Sequence, residues 1–334
     1  MSITLVWLQF LVISCVIGLA GHYLCHYADI IADRTGLGRN WIGLILLSTI
    51  TSLPELMSGI SAVRFAGDPN LAVGDILGSC VLNLTLVFVL DLMHRESSVY
   101  TKATMGHVLS GALGIILISY VGLALIISPL FPKFVIGHVG GGAAFIPVFY
   151  LLSMRMLYVF ESKHKAAVAA RSESGGSKKS LRRTYLMFAV AALFVIGAGA
   201  FLPLVGEKIV AAMGWNSAFV GTIFMAVATS VPEIVVTVSA IRLRAVELAL
   251  SNVLGSTLFN VVVLSVDDIF YVKGHLLQVV SRSHIVTAFS VVMMTGLVLV
   301  ALIHPPQKRI LNTVSLLSVL IVAVFFLNAY LIFQ

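Results

Sequence analysis

Charge is scarce in this chain. Only 10% of its 334 residues are Asp, Glu, Lys or Arg, while 59% are hydrophobic. Soluble domains carry about one quarter charged residues, so an ordinary soluble globule is excluded. Cysteine is nearly absent as well. The three present, Cys15, Cys25 and Cys80, fall inside apolar runs without metal-ligand spacing, which argues against a disulfide framework and a zinc site. No HExxH, no GxSxG and no Ser/His arrangement appears, so the familiar signatures of intramembrane hydrolysis are missing. The GGGAA run at 140–144 has no preceding strand and no following Lys-Ser/Thr. It reads as close helix packing and not as a phosphate loop. No cofactor is expected.

What the chain does have is long apolar runs. A membrane-spanning helix needs about 20 predominantly apolar residues. Ten such stretches are predicted, at 3–30, 40–64, 70–93, 103–129, 138–160, 184–212, 216–241, 246–270, 283–303 and 311–333. The first has no basic n-region and no small-residue cleavage motif, so it reads as a span and not a removable signal. The expected fold class is an all-α membrane protein of about ten transmembrane helices. Its expected divisions are a first five-helix repeat at 1–161, a basic linker at 162–183 and a second five-helix repeat at 184–334.

The net charge of +7 does not point to nucleic acid, because of where the basic residues sit. Lys163, Lys165, Arg171, Lys178, Lys179, Arg182 and Arg183 crowd the linker, around the polar stretch SESGGSKKS at 172–180. Short basic loops lie on the cytoplasmic side. With the linker inside, Arg34, Arg39, Arg95, Lys102, Arg242, Arg244, Lys308 and Arg309 fall inside too. Only Arg64, Lys133, Lys208, Lys273 and Arg282 fall outside. Both termini are then expected outside, in a plasma (cell inner) membrane. Five spans is an odd number, so the second half enters the bilayer inverted relative to the first. The lipid bilayer is the expected surrounding, with no nucleic-acid partner and no protein partner implied.

The two halves repeat each other. GLILLSTITSLPELMSGISAVR (43–64) returns as GTIFMAVATSVPEIVVTVSAIR (221–242), and GDILGSCVLN (74–83) returns as SNVLGSTLFN (251–260). An ionised carboxylate in a bilayer core costs at least about 2.5 kcal/mol, yet Glu55 and Glu233 both occupy mid-span positions. Ser48, Ser52 and Glu55 share one helix face, as do Asp75, Ser79 and Asn83. The second half answers with Ala226, Ser230 and Glu233, and with Asn252, Ser256 and Asn260. Pro54 and Pro232 cannot donate to the carbonyls four residues back and kink their helices. This leaves backbone carbonyls of that turn, including those of Thr51 and Thr229, available to a cation. Every candidate ligand is a hard oxygen, which suits calcium, magnesium or sodium and disfavours zinc or copper. Two glutamates balance one divalent charge, and calcium tolerates a flexible oxygen shell better than magnesium does. His22 and His26 stand i, i+4 near the end of the first span, without a third ligand, and read as interfacial histidines.

These motifs resemble the paired α-repeats of the cation/calcium antiporters, and most closely the sodium/calcium exchanger branch with its prokaryotic relatives. The resemblance implies an alternating-access antiporter exchanging calcium for sodium, with spans one and six sliding past the other eight. It implies calcium held by Glu55, Glu233 and the Thr51 and Thr229 carbonyls. Sodium would be held by Ser52, Ser79, Ser230, Ser256 and the same glutamates, with Asn83 and Asn260 at the remaining central positions. The chain departs from the family pattern in three places. Asn83 and Asn260 are both amides where the exchangers often carry one acid. Asp75 replaces a usual Asn, at the end of span three nearest the outside, either gathering cations or facing the interface. Cys80 also stands where Asn is common. Proton-driven calcium exchange on the same fold is the alternative. An ion channel fits inverted repeats with broken helices less well than a carrier does.

Overall fold

In the computed structural model, residues 2–35, 47–95, 97–168, 181–310 and 313–334 are described. The described residues are helical nearly throughout, as a bilayer requires where no water is present to satisfy backbone N–H and C=O groups. The first half runs α1 (Ile3–Thr35), α2 (Ser48–Thr51), α3 (Leu53–Ser61), α4 (Pro69–Met93), α5 (Met105–Ile127) and α6 (Ile146–Val168). The second runs α7 (Leu181–Met213), α8 (Ala226–Thr229), α9 (Val231–Arg242), α10 (Val246–Phe270), α11 (Ser283–Ile303) and α12 (Leu316–Phe333). A two-stranded hairpin, β1 (Val135–Ile136) and β2 (Val139–Gly140), precedes α6.

Eight helices among the described residues are long and apolar enough to cross a membrane. The bent pair Ser217–Thr229 and Val231–Arg242 makes nine. Of the remaining expected span, 40–64, the start lies outside the described residues, and α2 and α3 are its described part. The linker stretch 172–180 also lies outside the described residues. The repeat shows in matched lengths: α1 and α7 have 33 residues each, α4 and α10 have 25 each.

Polarity runs from the inside out. Leu19, Leu151, Leu193, Phe201 and Phe326 are exposed on the flanks, Leu193 by 67%, whereas Glu55, Glu233, Asp75 and Asn260 are 0% exposed. α4 and α10 pack against each other at the centre, and α5 and α11 pair beside them. Close approach is secured by glycine: a Cβ on Gly78 would lie 2.6 Å from Thr222 Cα, and one on Gly74 3.0 Å from Thr222 N. Contrary to the sequence reading, a short strand, β2, leads into the GGGAA run; the close helix packing is seen at Gly142, where a Cβ would lie 3.1 Å from Ala124 Cβ of α5.

α1 and α7 lie side by side, and each crosses to the broken helix of the other half, α1 on α9 and α7 on α3. At these crossings a Cβ on Gly18 would lie 2.7 Å from Val231 Cγ1, and one on Gly21 2.8 Å from Pro232 Cβ. A Cβ on Gly199 would lie 3.1 Å from the Pro54 carbonyl oxygen.

The ends of the two central helices are tied down by a second repeat-related pair, Asp91 and Asp268. Asp91 accepts from Ser98 Oγ (3.2 Å), Val99 N (3.2 Å), Ser315 N (2.8 Å) and Ser318 Oγ (2.9 Å) and faces Arg309 at 3.8 Å. Asp268 accepts from Gly140 N at 2.7 Å and from Leu276 N. Burial first, and then the Asp91 charge, hold the neighbouring Tyr100 hydroxyl above the usual phenol range, against the opposing effect of its hydrogen bond to Ser318. Hydrogen bonds to charged groups are worth about 1.5–3 kcal/mol, and Asp91 gathers several. Asp91→Ala is therefore expected to lower the apparent melting temperature in detergent by several degrees; an unchanged melting curve would show that the clamp does not hold the fold.

Candidate cation centre

Both broken helices interrupt at a serine. Ser52 has φ −87°, ψ 11° and Ser230 has φ −82°, ψ 8°, so the two breaks share one geometry, and the second bends the chain by 48°. The cause is Pro54 and Pro232, which fall in the first turn of α3 and α9. A proline there loses no helical bond and starts a new helix readily. Glu55 and Glu233 follow in the same first turn, where free N–H groups and the helix dipole favour a carboxylate.

The two breaks meet through hydrogen bonds that cross between the halves. Ser230 Oγ donates to Glu55 Oε1 at 3.0 Å, and Ser52 Oγ donates to Glu233 Oε1 at 3.1 Å. Ser79 Oγ, from α4, donates to the same Glu55 oxygen at 3.2 Å and lies 3.0 Å from Ser230 Oγ. Each threonine meets a serine of a central helix. Thr229 Oγ1 lies 3.4 Å from Ser79 Oγ, and Thr51 Oγ1 lies 3.3 Å from Ser256 Oγ. All ten expected residues, Thr51, Ser52, Glu55, Ser79, Asn83, Thr229, Ser230, Glu233, Ser256 and Asn260, are buried. Eight of them are joined to one another by hydrogen bonds, in three groups: Glu55, Ser79, Thr229 and Ser230; Ser52 and Glu233; Thr51 and Ser256. Asn83 and Asn260 are not: both atoms of each amide are buried without a hydrogen bond, as are Glu55 Oε2 and Glu233 Oε2. An unpaired buried polar group costs about 1–3 kcal/mol, and the oxygens among these, Oδ1 of each Asn and Oε2 of each Glu, are acceptors that a cation would satisfy.

Asp75 is neither at the interface nor on an open approach. It is fully buried and accepts from Thr229 Oγ1 at 2.8 Å, so it belongs to the network itself. The reason is the glycine-mediated approach of α4 to residues 218–222, where a Cβ on Gly221 would lie 3.2 Å from Asp75 N. Its repeat counterpart Asn252 is buried and unpartnered, which makes the centre chemically asymmetric. Cys80 is buried and donates through Sγ to the Thr257 carbonyl at 3.8 Å. Asp267, buried with both oxygens unpartnered, was not singled out by sequence reasoning, although it follows Asn260 by seven residues on the same face of α10. His22 and His26 are exposed, each edge-on to its neighbouring tyrosine. Among the described residues no three His, Cys, Asp or Glu side chains gather into a metal-holding group; the centre is a mixed set of carboxylates, hydroxyls and amides. The cleft of about 740 Å³ between α1 and α7, lined by Leu8, Val12, Phe194 and Phe201, lies on the apolar flank, away from this centre.

Comparison with known proteins identifies the family. The family model described as sodium/calcium exchanger protein matches residues 5–159 and 183–333. The chain is 26% identical to the sodium/calcium exchanger MaX1 of Methanosarcina acetivorans, covering 75% of this chain and 78% of that protein. It is 22% identical to an uncharacterized membrane protein of Methanocaldococcus jannaschii, covering 66% and 67%. Among solved structures, the sodium-calcium exchanger NCX_Mj soaked with Na⁺ and Sr²⁺ superposes with a TM-score of 0.60 at 17% identity over 98% of both chains. Native YfkE gives 0.64 at 18% identity, over 97% of this chain and 91% of the other. The matched repeats, the broken helices and a family model covering both halves lead to one conclusion: the chain belongs to the sodium/calcium exchanger protein family of membrane ion exchangers.

Proposed function

We propose that this protein is a secondary antiporter that exchanges calcium for sodium by alternating access. The observation that carries the reading is the reciprocal pair of hydrogen bonds, Ser230 to Glu55 and Ser52 to Glu233, which makes one all-oxygen centre out of two helix breaks. Ionised Glu55 and Glu233 balance a divalent charge, and the Thr51 and Thr229 carbonyls with the Asn83 and Asn260 amides extend the shell toward the coordination calcium takes. When calcium leaves, sodium ions take positions beside Ser52, Ser79, Ser230 and Ser256, sharing the same glutamates. Because both ions need the same carboxylates, they exclude one another, and that competition couples the two fluxes. α1 and α7, gliding on the broken helices, expose the centre to one side and then the other. The halves at 1–161 and 184–334 are inverted in the bilayer, with the linker at 162–183 cytoplasmic and both termini outside in the plasma membrane.

The test is radioactive calcium uptake into proteoliposomes loaded with sodium, against potassium-loaded vesicles and an imposed pH gradient. Uptake driven by the outward sodium gradient is expected. Uptake with the pH gradient alone would assign proton coupling, a reading that the extra carboxyl of Asp75 in the network favours. Uptake in neither condition would overturn calcium exchange altogether.

A further inference from the structure

A second polar cluster lies one helical turn beyond Glu55. Ser58 and Gly59 follow Glu55 at i+3 and i+4 and so share its face of α3. Asp267 of α10 is seated directly on Gly59, where an added Cβ would lie 2.6 Å from Oδ1. On the same turn the hydroxyl of Ser58 faces the Asp75 carboxyl without closing a hydrogen bond of normal geometry. The charges that face Asp267 are those of Asp75 and Asp268, the charge that faces Asp75 is that of Glu55, and no Lys, Arg or His is among the groups that act on either. Four oxygens of this cluster stand buried and unpartnered: both of Asp267, Asp75 Oδ2 and Ser58 Oγ. Asp75, Ser58 and Asp267 are each 0% exposed.

The repeat isolates this cluster as a one-sided feature. At the corresponding positions the chain has Asn252 for Asp75, Leu90 for Asp267, Val236 for Ser58 and Thr237 for Gly59. A structural requirement of the fold would be met in both halves, as it is by Asp91 and Asp268. Here one side of the centre carries two carboxyls and the Ser58 hydroxyl, where the other carries an amide, the Thr237 hydroxyl and two apolar side chains. Two neighbouring acids in a bilayer interior, without a basic partner, are costly when ionised, and a divalent cation offsets both charges at once.

We propose that Asp75 and Asp267, with the Ser58 hydroxyl, bind a hard divalent cation at a second site, one helical turn from the Glu55–Glu233 centre and on one side of it only. The route between the two is continuous: Glu55 to Ser79, Ser79 to Thr229, Thr229 to Asp75. An ion at the second site stands next in line for the centre. This role in exchange rests on the proposed function; the binding site itself does not.

Equilibrium binding of radioactive calcium to the purified full-length protein in detergent tests it. With the centre disabled as Glu55→Gln/Glu233→Gln, one saturable calcium site per chain is expected to remain. Adding Asp267→Leu, the residue found at the repeat-equivalent position, should weaken that remaining site at least tenfold, and Asp267→Asn, which preserves shape, should do the same. A centre-disabled protein that binds no calcium would overturn the proposal, as would a residual site indifferent to both Asp267 substitutions. Calcium flux measured on the centre-disabled protein separates the two readings. Retained flux would refute the Glu55–Glu233 centre while leaving the second-site result intact.

Discussion

Glu55→Gln and Glu233→Gln are each expected to abolish calcium exchange while leaving the protein folded. The amide keeps the shape of the carboxyl and can still accept the serine hydrogen bond from Ser230 or Ser52, so the reciprocal link between the breaks survives. What is lost is one of two negative charges in a desolvated centre. Removing one member of a buried charge interaction costs about 2–5 kcal/mol, which corresponds to about 30-fold to several thousand-fold in calcium affinity. The neutral amide also brings N–H donors toward a cation. Flux in proteoliposomes should fall to background, and the elution profile in detergent should match that of the native protein. Near-native flux in either variant would dismiss the site.

Gly21→Leu is expected to stop transport by a different route, leaving calcium bound. Gly21 lies where α1 crosses Pro232, and a Cβ there would already sit 2.8 Å from the proline Cβ. Gly18 and Gly199 form the other close crossings, on Val231 and Pro54. Glycine makes these crossings smooth, so the long helices can change position without lifting off the breaks. A leucine side chain forces α1 away from α9 in this conformation, and overpacking of this kind costs about 1–3 kcal/mol. If the two transport states bear that cost unequally, their balance shifts by about 5- to 150-fold. The expected result is flux reduced at least tenfold with equilibrium calcium binding retained. Flux at the native level would show that α1 does not move over Pro232 during exchange.

Much of this architecture was legible from residue pattern. The predicted spans 246–270 and 283–303 coincide with α10 and α11, because polar or charged loops bracket predominantly apolar stretches. The breaks were legible from Pro54 and Pro232, since proline alone dictates that a helix cannot continue unchanged. The repeated Thr-Ser-x-Pro-Glu phrase brought the right side chains to notice before any packing was known. Asp75 was misjudged for a physical reason. Its place along α4 suggests an end, but burial depends on how closely residues 218–222 approach, and that is decided by Gly74, Gly78 and Gly221 together. Asp267 was missed because its neighbour on α3 is a glycine, which leaves no polar partner in the sequence to pair it with. The crossing of hydrogen bonds between the halves is a property of tertiary assembly, which residue spacing within either half does not contain.

The reciprocal serine–glutamate bonds have a consequence for how the protein is made. When synthesis has passed residue 168 but not yet reached Ser230, Glu55 is in place with only Ser79 of its own half to bind it. Its second donor arrives with the second half, and Glu233 in turn needs Ser52, made long before. Neither half can mature its carboxylate on its own, so the N-terminal half has to wait in the membrane with an unfinished interior. Insertion machinery or a chaperone that shelters polar surface has its natural moment of action in that interval. Two separately expressed halves should likewise be degraded when alone and rescued when made together.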